Sequence, residues 1–207
     1  MRFIDIVRTA IRSAVRRFAG WLNAITHGKI SPNGVTIFGF LMHIPIAYII
    51  VVGNFYLASV MLVVFGLFDT LDGELARLQS RASAQGMLLD ALTDRLKEVI
   101  IYTAAAIEIS KQHPAAAAWC VLACGASVCV SYVKAKGEAA LTSQVHGISH
   151  HKLNYIFKDG FMSFEIRMTV LVIGLLTHQL LYAIIFIALT SLMTIVPRYA
   201  HIVKELK

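Results

Sequence analysis

Acidic residues are concentrated in one short part of the 207-residue chain, between positions 69 and 98. Six of the twelve acidic residues fall within these thirty positions, in stretches that are otherwise apolar. They are Asp69, Asp72, Glu74, Asp90, Asp94 and Glu98. Because charged side chains are costly in apolar segments, their concentration at one place indicates a functional site.

The spacing of four of these acids predicts two pairs on two helices. Asp69 and Asp72 are three residues apart, and Asp90 and Asp94 are four apart, so each pair shares a helical face. A short connection would make the two helices antiparallel neighbours, and the pairs can then face each other. Four carboxylates in low-dielectric surroundings repel one another unless a cation neutralises them. Oxygen ligands favour Mg²⁺ or Mn²⁺ before Zn²⁺.

The composition of the chain is that of an integral membrane protein. It is 57% hydrophobic and 15% charged, whereas soluble domains carry about 25% charged residues. Segments that cross lipid must satisfy their own backbone hydrogen bonds, so we expect an all-α fold with six transmembrane helices. The predicted crossings are residues 33–53, 55–78, 84–110, 114–138, 161–179 and 180–203.

An amphipathic helix is predicted before the first crossing. Residues 2–26 place arginines along one side and apolar residues along another, which is typical of a helix lying on an anionic membrane surface. We therefore divide the chain into residues 1–30, an interfacial helix and linker, and residues 31–207, a six-helix transmembrane domain that carries the acidic cluster.

The distribution of basic residues predicts the orientation in the membrane. With six crossings, 18 of the 19 Lys and Arg residues lie on one side or at the helix ends beside it, and Lys111 is the exception. The positive-inside rule then places both termini and the acidic cluster on the cytoplasmic side of the membrane. A basic rim facing anionic lipid also accounts for the net charge of +7, so nucleic acid is not expected as a partner.

The four aspartates belong to a longer pattern with eight fixed positions. It reads Asp69-x-x-Asp72-Gly73-x-x-Ala76-Arg77, eight residues, then Gly86-x-x-x-Asp90-x-x-x-Asp94. This pattern resembles the signature of the CDP-alcohol phosphotransferase family, and the six-helix plan extends the resemblance over nearly the whole chain. A competing interpretation is that the acids only form ion pairs with basic neighbours in a solvated hairpin. Those neighbours are Arg77, Arg81, Arg95 and Lys97.

The resemblance implies a division of roles among the pattern residues. Asp69, Asp72 and Asp90 match the principal ligands of two divalent cations, Mg²⁺ or Mn²⁺. Asp94 matches the general base that deprotonates the acceptor hydroxyl, and whether it also touches a metal is left open. An ordinary Asp, with a pKa of ~3.9, is a poor base, so desolvation or positioning must assist it.

The resemblance also implies a donor and an assembly. The cations hold the diphosphate of a CDP-linked lipid, often CDP-diacylglycerol. The donor site would combine Asp69 with Gly73, which lets a nucleotide approach the backbone, Arg77, which can pair with phosphate, and Gly86. Members of the family form homodimers.

A second stretch of the sequence, residues 131–138, gives information about which alcohol accepts the phosphatidyl group. Ser131-Tyr132-x-Lys134-Ala135-Lys136-Gly137-Glu138 resembles a segment of the family's phosphatidylinositol-phosphate synthases, with Lys136 and Gly137 replacing the usual Arg and Ala. The resemblance implies a pocket for the phosphate of the acceptor. Its candidate residues are Lys134, Lys136, Arg167 and Arg198. The alternative for the two lysines is that they reach to the membrane boundary without binding a ligand.

The resemblance implies transfer of a phosphatidyl group from a CDP-lipid to a polar alcohol with release of CMP. Inositol phosphate is the first candidate acceptor, and glycerol 3-phosphate is the second. A divalent-cation transporter is the alternative from another class, but Arg77 beside the acids suits an anionic nucleotide better than a passing cation. We interpret His146, His150 and His151 as part of a solvated loop at 139–160 rather than as a zinc site.

Overall fold

Every regular element in the described part of the chain is helical. The computed structural model describes residues 3–144 and 162–206. Its helices are α1 (Phe3–Ile25), α2 (Pro32–Leu41), α3 (His43–Val51), α4 (Phe55–Gly66), α5 (Phe68–Leu78), α6 (Ala84–Ser110), α7 (Ala117–Gln144), α8 (Phe164–Leu176) and α9 (Leu180–Glu205), with a 3₁₀ turn at Pro114–Ala116. The all-α prediction is confirmed for these residues.

Four helical stretches within the described residues are long and apolar enough to cross a bilayer. They are Pro32–Val51, Phe55–Leu78, Pro114–Ser143 and Leu180–Glu205. The other two predicted crossings correspond to α6 and α8, which are not among these four stretches. Helix α6 has 27 residues but carries five charged side chains between Asp90 and Glu98, and α8 has only 13 residues. The fold is therefore that of a multi-span membrane protein, and the count of six crossings stays a prediction.

Several helix boundaries differ from those expected. The first two predicted crossings are each divided into two helices, by turns at Met42 and Leu67. Helix α7 continues to Gln144 instead of ending at 138, because residues 139–144 contain neither Gly nor Pro. The beginning of the predicted 139–160 loop is therefore helical. His146, His150 and His151 lie outside the described residues.

The chain divides into two compact units, which we describe separately. The first comprises Met1–Ile50 and Leu57–Ile101, and the second comprises Val51–Tyr56 and Tyr102–Lys207. In the first unit, α1, α2 and α5 enclose a small apolar core. Its buried members are Val15, Ala19, Val35, Leu71 and Leu75. This core fixes how α5, the helix of Asp69 and Asp72, rotates about its own axis.

The start of α2 is set by a local cap. The Ser31 side chain accepts a hydrogen bond from the Gly34 amide at 3.1 Å, and Pro32 occupies the first turn, where its missing N–H costs nothing. The cap defines the first turn of the helix that presents Thr36 to α5.

In the second unit, α8 packs tightly against α9 at a glycine. A Cβ atom added at Gly174 would lie 2.3 Å from the Cβ of Ala183. Small residues at such a crossing let two membrane helices pack backbone to backbone.

We predict that Gly174→Ala destabilises the protein by about 1–3 kcal/mol, because the added methyl group forces α8 and α9 apart. Thermal unfolding of the purified protein in detergent measures the effect. Gly125→Ala in α7 is the matched control, since a Cβ there meets nothing within 4 Å and alanine favours helix. Equal melting temperatures for the two variants would contradict the tight crossing.

Candidate metal and substrate site

Helix α5 positions the first aspartate pair. Leu71 and Leu75 are buried in the core that α5 shares with α1 and α2, so the helix can present Asp69 and Asp72 only on another side. Asp69 lies in the first turn of the helix, where the partial positive charge of the N-terminus favours a carboxylate. The predicted placement of this pair on one face is confirmed.

A residue of α2 orients Asp72. The Thr36 hydroxyl, itself buried, donates a hydrogen bond to Asp72 Oδ2. The bond fixes the rotation of a carboxylate that is 6% exposed. Sequence reasoning gave Thr36 no role in the site, because a contact across 36 positions leaves no local pattern.

Helix α6 brings the second pair to the first. Carboxylate oxygens of Asp69, Asp72 and Asp90 all lie within 4.8 Å of one another. Asp90 Oδ1 is buried and has no hydrogen-bond partner among the described residues. Such an orphaned acceptor is costly unless a ligand satisfies it. The predicted convergence of the aspartates on the two helices is confirmed for Asp69, Asp72 and Asp90.

These three aspartates fit a divalent cation. Two oxygens bound to one Mg²⁺ at about 2.1 Å lie up to about 4.2 Å apart, so small side-chain rotations bring this cluster to coordination distance. The donors are all oxygen, which suits Mg²⁺ and Mn²⁺. The unpartnered Asp90 oxygen supplies an open ligand position.

Lys97 is buried beside the aspartates, although it is not one of the fixed positions of the pattern. Its ammonium forms an ion pair with Asp69 and lies 3.4 Å from Asp94 Oδ1, and its side chain is only 2% exposed. Sequence analysis included Lys97 only in the ion-pair alternative. The available signal was its position three residues after Asp94 in an apolar helix, which puts both side chains on one face. A buried ammonium reduces the repulsion among the four carboxylates.

Asp94 is placed differently from the other three aspartates. It is held by cations on its own helix, with Oδ2 3.6 Å from Arg95 Nη2 and Oδ1 close to Lys97. Arg95 also forms an ion pair with Glu98, whose side chain is fully buried. Asp94 shares the Lys97 ammonium with Asp69, and its role as the general base stays a prediction.

The residues predicted to bind the donor lie on α5 and at the start of α6. The Arg77 guanidinium lies over Gly73, where an added Cβ would be 3.7 Å from Arg77 Nη2. Arg77 Nη2 also donates a hydrogen bond to Glu74 Oε1 at 2.7 Å. At Gly86, an added Cβ would be 3.2 Å from Asn33 Oδ1, so a side chain there would crowd the start of α2. The part of these residues in binding the donor stays a prediction.

The acceptor residues lie in the second unit, and two of them are buried arginines. Arg167 is fully buried and donates to the Met162 carbonyl at 2.9 Å. Arg198 donates to the Val130 carbonyl at 3.1 Å, while its buried Nε has no hydrogen-bond partner among the described residues. Two like charges in an apolar interior are consistent with an anionic ligand.

The two lysines predicted for the same pocket make contacts within their own helix. Lys134 Nζ lies 3.7 Å from Oε1 of Glu138, which is one helical turn later in the chain. Lys136 Nζ lies over the Tyr132 ring, 5.9 Å from the ring centroid. Both lysines are exposed, so their predicted part in acceptor binding stays a prediction.

Several curated proteins are similar in sequence to this chain. A phosphatidylinositol phosphate synthase of Corynebacterium glutamicum is 33% identical over 116 residues, which are 54% of this chain and 53% of that protein. The chain spans about half of the length, or less, of the first curated relatives that it matches.

Solved structures show the same fold. The phosphatidylinositol phosphate synthase of Mycobacterium tuberculosis with CDP-DAG bound has a TM-score of 0.75 and 22% identity, covering 91% of this chain and 92% of that one. The same enzyme in complex with manganese and citrate has a TM-score of 0.73 and 22% identity, covering 91% and 88%.

The family model described as CDP-alcohol phosphatidyltransferase matches residues 29–196, which contain the complete aspartate pattern on α5 and α6. The match covers far more than half of the chain. The chain belongs to the CDP-alcohol phosphatidyltransferase family.

Proposed function

We propose that this protein is a membrane-embedded phosphatidyltransferase that uses CDP-diacylglycerol or a similar CDP-lipid as donor. The observation that carries the proposal is the convergence of Asp69, Asp72 and Asp90 within 4.8 Å, with one buried oxygen left unpartnered. A cluster of this kind binds divalent cations, and the family uses such cations for CDP-linked substrates. Arg77, beside the cluster, supplies positive charge for the donor's phosphates.

In this proposal Asp69, Asp72 and Asp90 hold two cations, Mg²⁺ or Mn²⁺. When bound, the cations supply charge neutralisation for the diphosphate and for the departing CMP. Thr36 orients Asp72, and Lys97 offsets part of the negative charge of Asp69. The chain's own residues thus keep the cluster compact before the substrate arrives.

The proposed reaction is an attack by the acceptor hydroxyl on the β-phosphorus of the CDP-lipid. The new bond joins the acceptor oxygen to that phosphorus, and the bond from the β-phosphorus to the oxygen of CMP breaks. Asp94 takes the hydroxyl proton, and its position between Arg95 and Lys97 orients the carboxylate for that transfer. The products are CMP and a phospholipid.

Inositol phosphate is the proposed acceptor, and glycerol 3-phosphate is the alternative. The buried arginines Arg167 and Arg198 favour an acceptor that carries a phosphate group of its own. Lys134 and Lys136 would add positive charge where the acceptor arrives.

We propose six transmembrane crossings in residues 31–207, with residues 1–30 forming a helix and linker at the cytoplasmic membrane surface. α1 supports this placement, since its described part exposes Phe18, Trp21 and Ile25 together with several arginines. Both termini and the aspartates would then face the cytoplasm. The proposal includes a homodimer, as in other members of the family.

Asp94→Asn is expected to reduce CMP release from CDP-diacylglycerol by about 100-fold or more, because the amide cannot accept the acceptor's proton. It should keep the rise in melting temperature that Mg²⁺ or Mn²⁺ produces, since Asp69, Asp72 and Asp90 remain. Asp90→Asn is the matched control and should lose both turnover and the metal-induced rise. Full turnover by Asp94→Asn would exclude Asp94 as the base.

Arg198→Gln is expected to raise the KM for the phosphorylated acceptor about tenfold or more and to leave the KM for CDP-diacylglycerol unchanged. An acceptor panel of inositol phosphate, inositol and glycerol 3-phosphate, run with the purified protein, measures this effect. If glycerol 3-phosphate gives product and inositol phosphate does not, the proposed acceptor is wrong.

Lys97→Met is expected to lower the unfolding free energy by about 3 kcal/mol or more in the presence of a chelator, because Asp69 and Asp94 lose their buried cation. Added Mg²⁺ should then stabilise this variant more than it stabilises the unsubstituted protein. Lys111→Met, which removes a more exposed lysine paired with Glu108, is the control. A melting temperature unchanged by Lys97→Met in chelator would show that the ammonium does not stabilise the cluster.

A further inference from the structure

A cleft lies between α1 and α5, on residues outside the three-aspartate group. Its volume is about 580 Å³. The polar side chains that line it are Thr9, Arg12, Ser13, Arg16, Glu74 and Arg77. All of them belong to the first unit. Only Arg77 is part of the aspartate pattern, so the cleft needs an explanation of its own.

Glu74 holds two of the three arginines in place. Its carboxylate accepts from Arg77 Nη2 at 2.7 Å and from Arg12 Nε at 3.3 Å. The Glu74 side chain is 7% exposed, whereas those of Arg12 and Arg77 are more than half exposed. A buried carboxylate therefore anchors two guanidinium groups whose remaining N–H donors can reach solvent.

The charge of the cleft is positive. Three arginines and one glutamate leave a net charge of +2 among the lining residues that the structure describes. Arg16 is exposed and lies one helical turn after Arg12, on the same face of α1. Guanidinium groups that converge in this way match the oxygens of a phosphate group, which they bind through paired N–H donors.

The position of α1 suggests where such a phosphate would come from. Phe18 and Trp21 stack with ring centroids 5.6 Å apart, and both are exposed, together with Ile25. Exposed aromatic and apolar side chains next to arginines are typical of a helix at the level of lipid headgroups. This step relies on the membrane placement proposed above for α1.

We propose that the α1–α5 cleft binds a phosphate group between Arg12, Arg16 and Arg77, with Glu74 as the internal counter-ion that keeps the arginines together. The ligand is the phosphate of an anionic lipid headgroup or a free phosphate. Because Arg77 also lies over Gly73, an occupied cleft neighbours the aspartate site without using its carboxylates.

Binding can be measured with the purified full chain in a neutral detergent, as the shift in melting temperature on ligand addition. The two arms are inorganic phosphate and dihexanoyl phosphatidic acid, with dihexanoyl phosphatidylcholine as the zwitterionic control. A chelator is present throughout and no donor or acceptor is added, so binding through metal ions or turnover does not contribute. The outcome is thus independent of whether the protein is a phosphatidyltransferase.

Arg16→Gln is the informative variant, since Arg16 is exposed and its loss leaves the ion pairs of Glu74 intact. We expect it to weaken phosphate or phosphatidic acid binding about tenfold, and Arg16→Lys to retain part of the affinity. Arg81→Gln removes one exposed charge on the same unit outside the cleft and should have no effect.

A shift in melting temperature with both ligands shows that the cleft recognises the phosphate group itself. A shift with phosphatidic acid alone shows that the ligand is a lipid headgroup. The proposal is overturned if neither ligand shifts the melting temperature. It is also overturned if Arg16→Gln and Arg81→Gln weaken binding equally, because the effect would then be one of net charge.

Discussion

Mutual repulsion among carboxylates is the constraint on which this structure depends. Asp69, Asp72 and Asp90 converge within 4.8 Å, and Asp94 follows one turn after Asp90. In surroundings of low dielectric constant, four negative charges at such distances separate unless positive charge is brought to them. The protein supplies part of that charge itself through Lys97, and the proposed cations supply the rest.

The packing of the first unit determines where those carboxylates point. Leu71 and Leu75 anchor α5 to α1 and α2, so the apolar side of α5 is fixed and its acidic side is exposed to α6. The amphipathic helix therefore has a structural role in addition to any contact with lipid. Glu74 ties the same two helices together through Arg12, which links the basic surface of α1 to the helix that carries the metal ligands.

Sequence patterns predicted the parts of this site that depend on local geometry. The spacing of Asp69 with Asp72 and of Asp90 with Asp94 determines the helical face that each pair shares, and α6 has the predicted bounds. Contacts between residues that are far apart in the sequence leave no such spacing pattern. The Thr36 hydrogen bond to Asp72 and the Lys97 ion pair to Asp69 depend on tertiary packing, as do the turns at Met42 and Leu67. Hydropathy likewise could not decide whether the charged α6 and the short α8 cross the membrane.

The hydroxyl of Thr36 has a consequence for which ions the site can select. Asp72 Oδ2 accepts a hydrogen bond from the Thr36 hydroxyl, so that oxygen has less lone-pair density to share, and Oδ1 would be the better ligand in the proposed metal site. A carboxylate restricted to one oxygen favours the compact octahedron of Mg²⁺ or Mn²⁺. Ca²⁺, with six to eight ligands, often takes both oxygens of a carboxylate. In the proposed metal site, this threonine of α2 would therefore restrict an aspartate of α5 to one ligand oxygen, a geometry that suits Mg²⁺ or Mn²⁺ better than Ca²⁺.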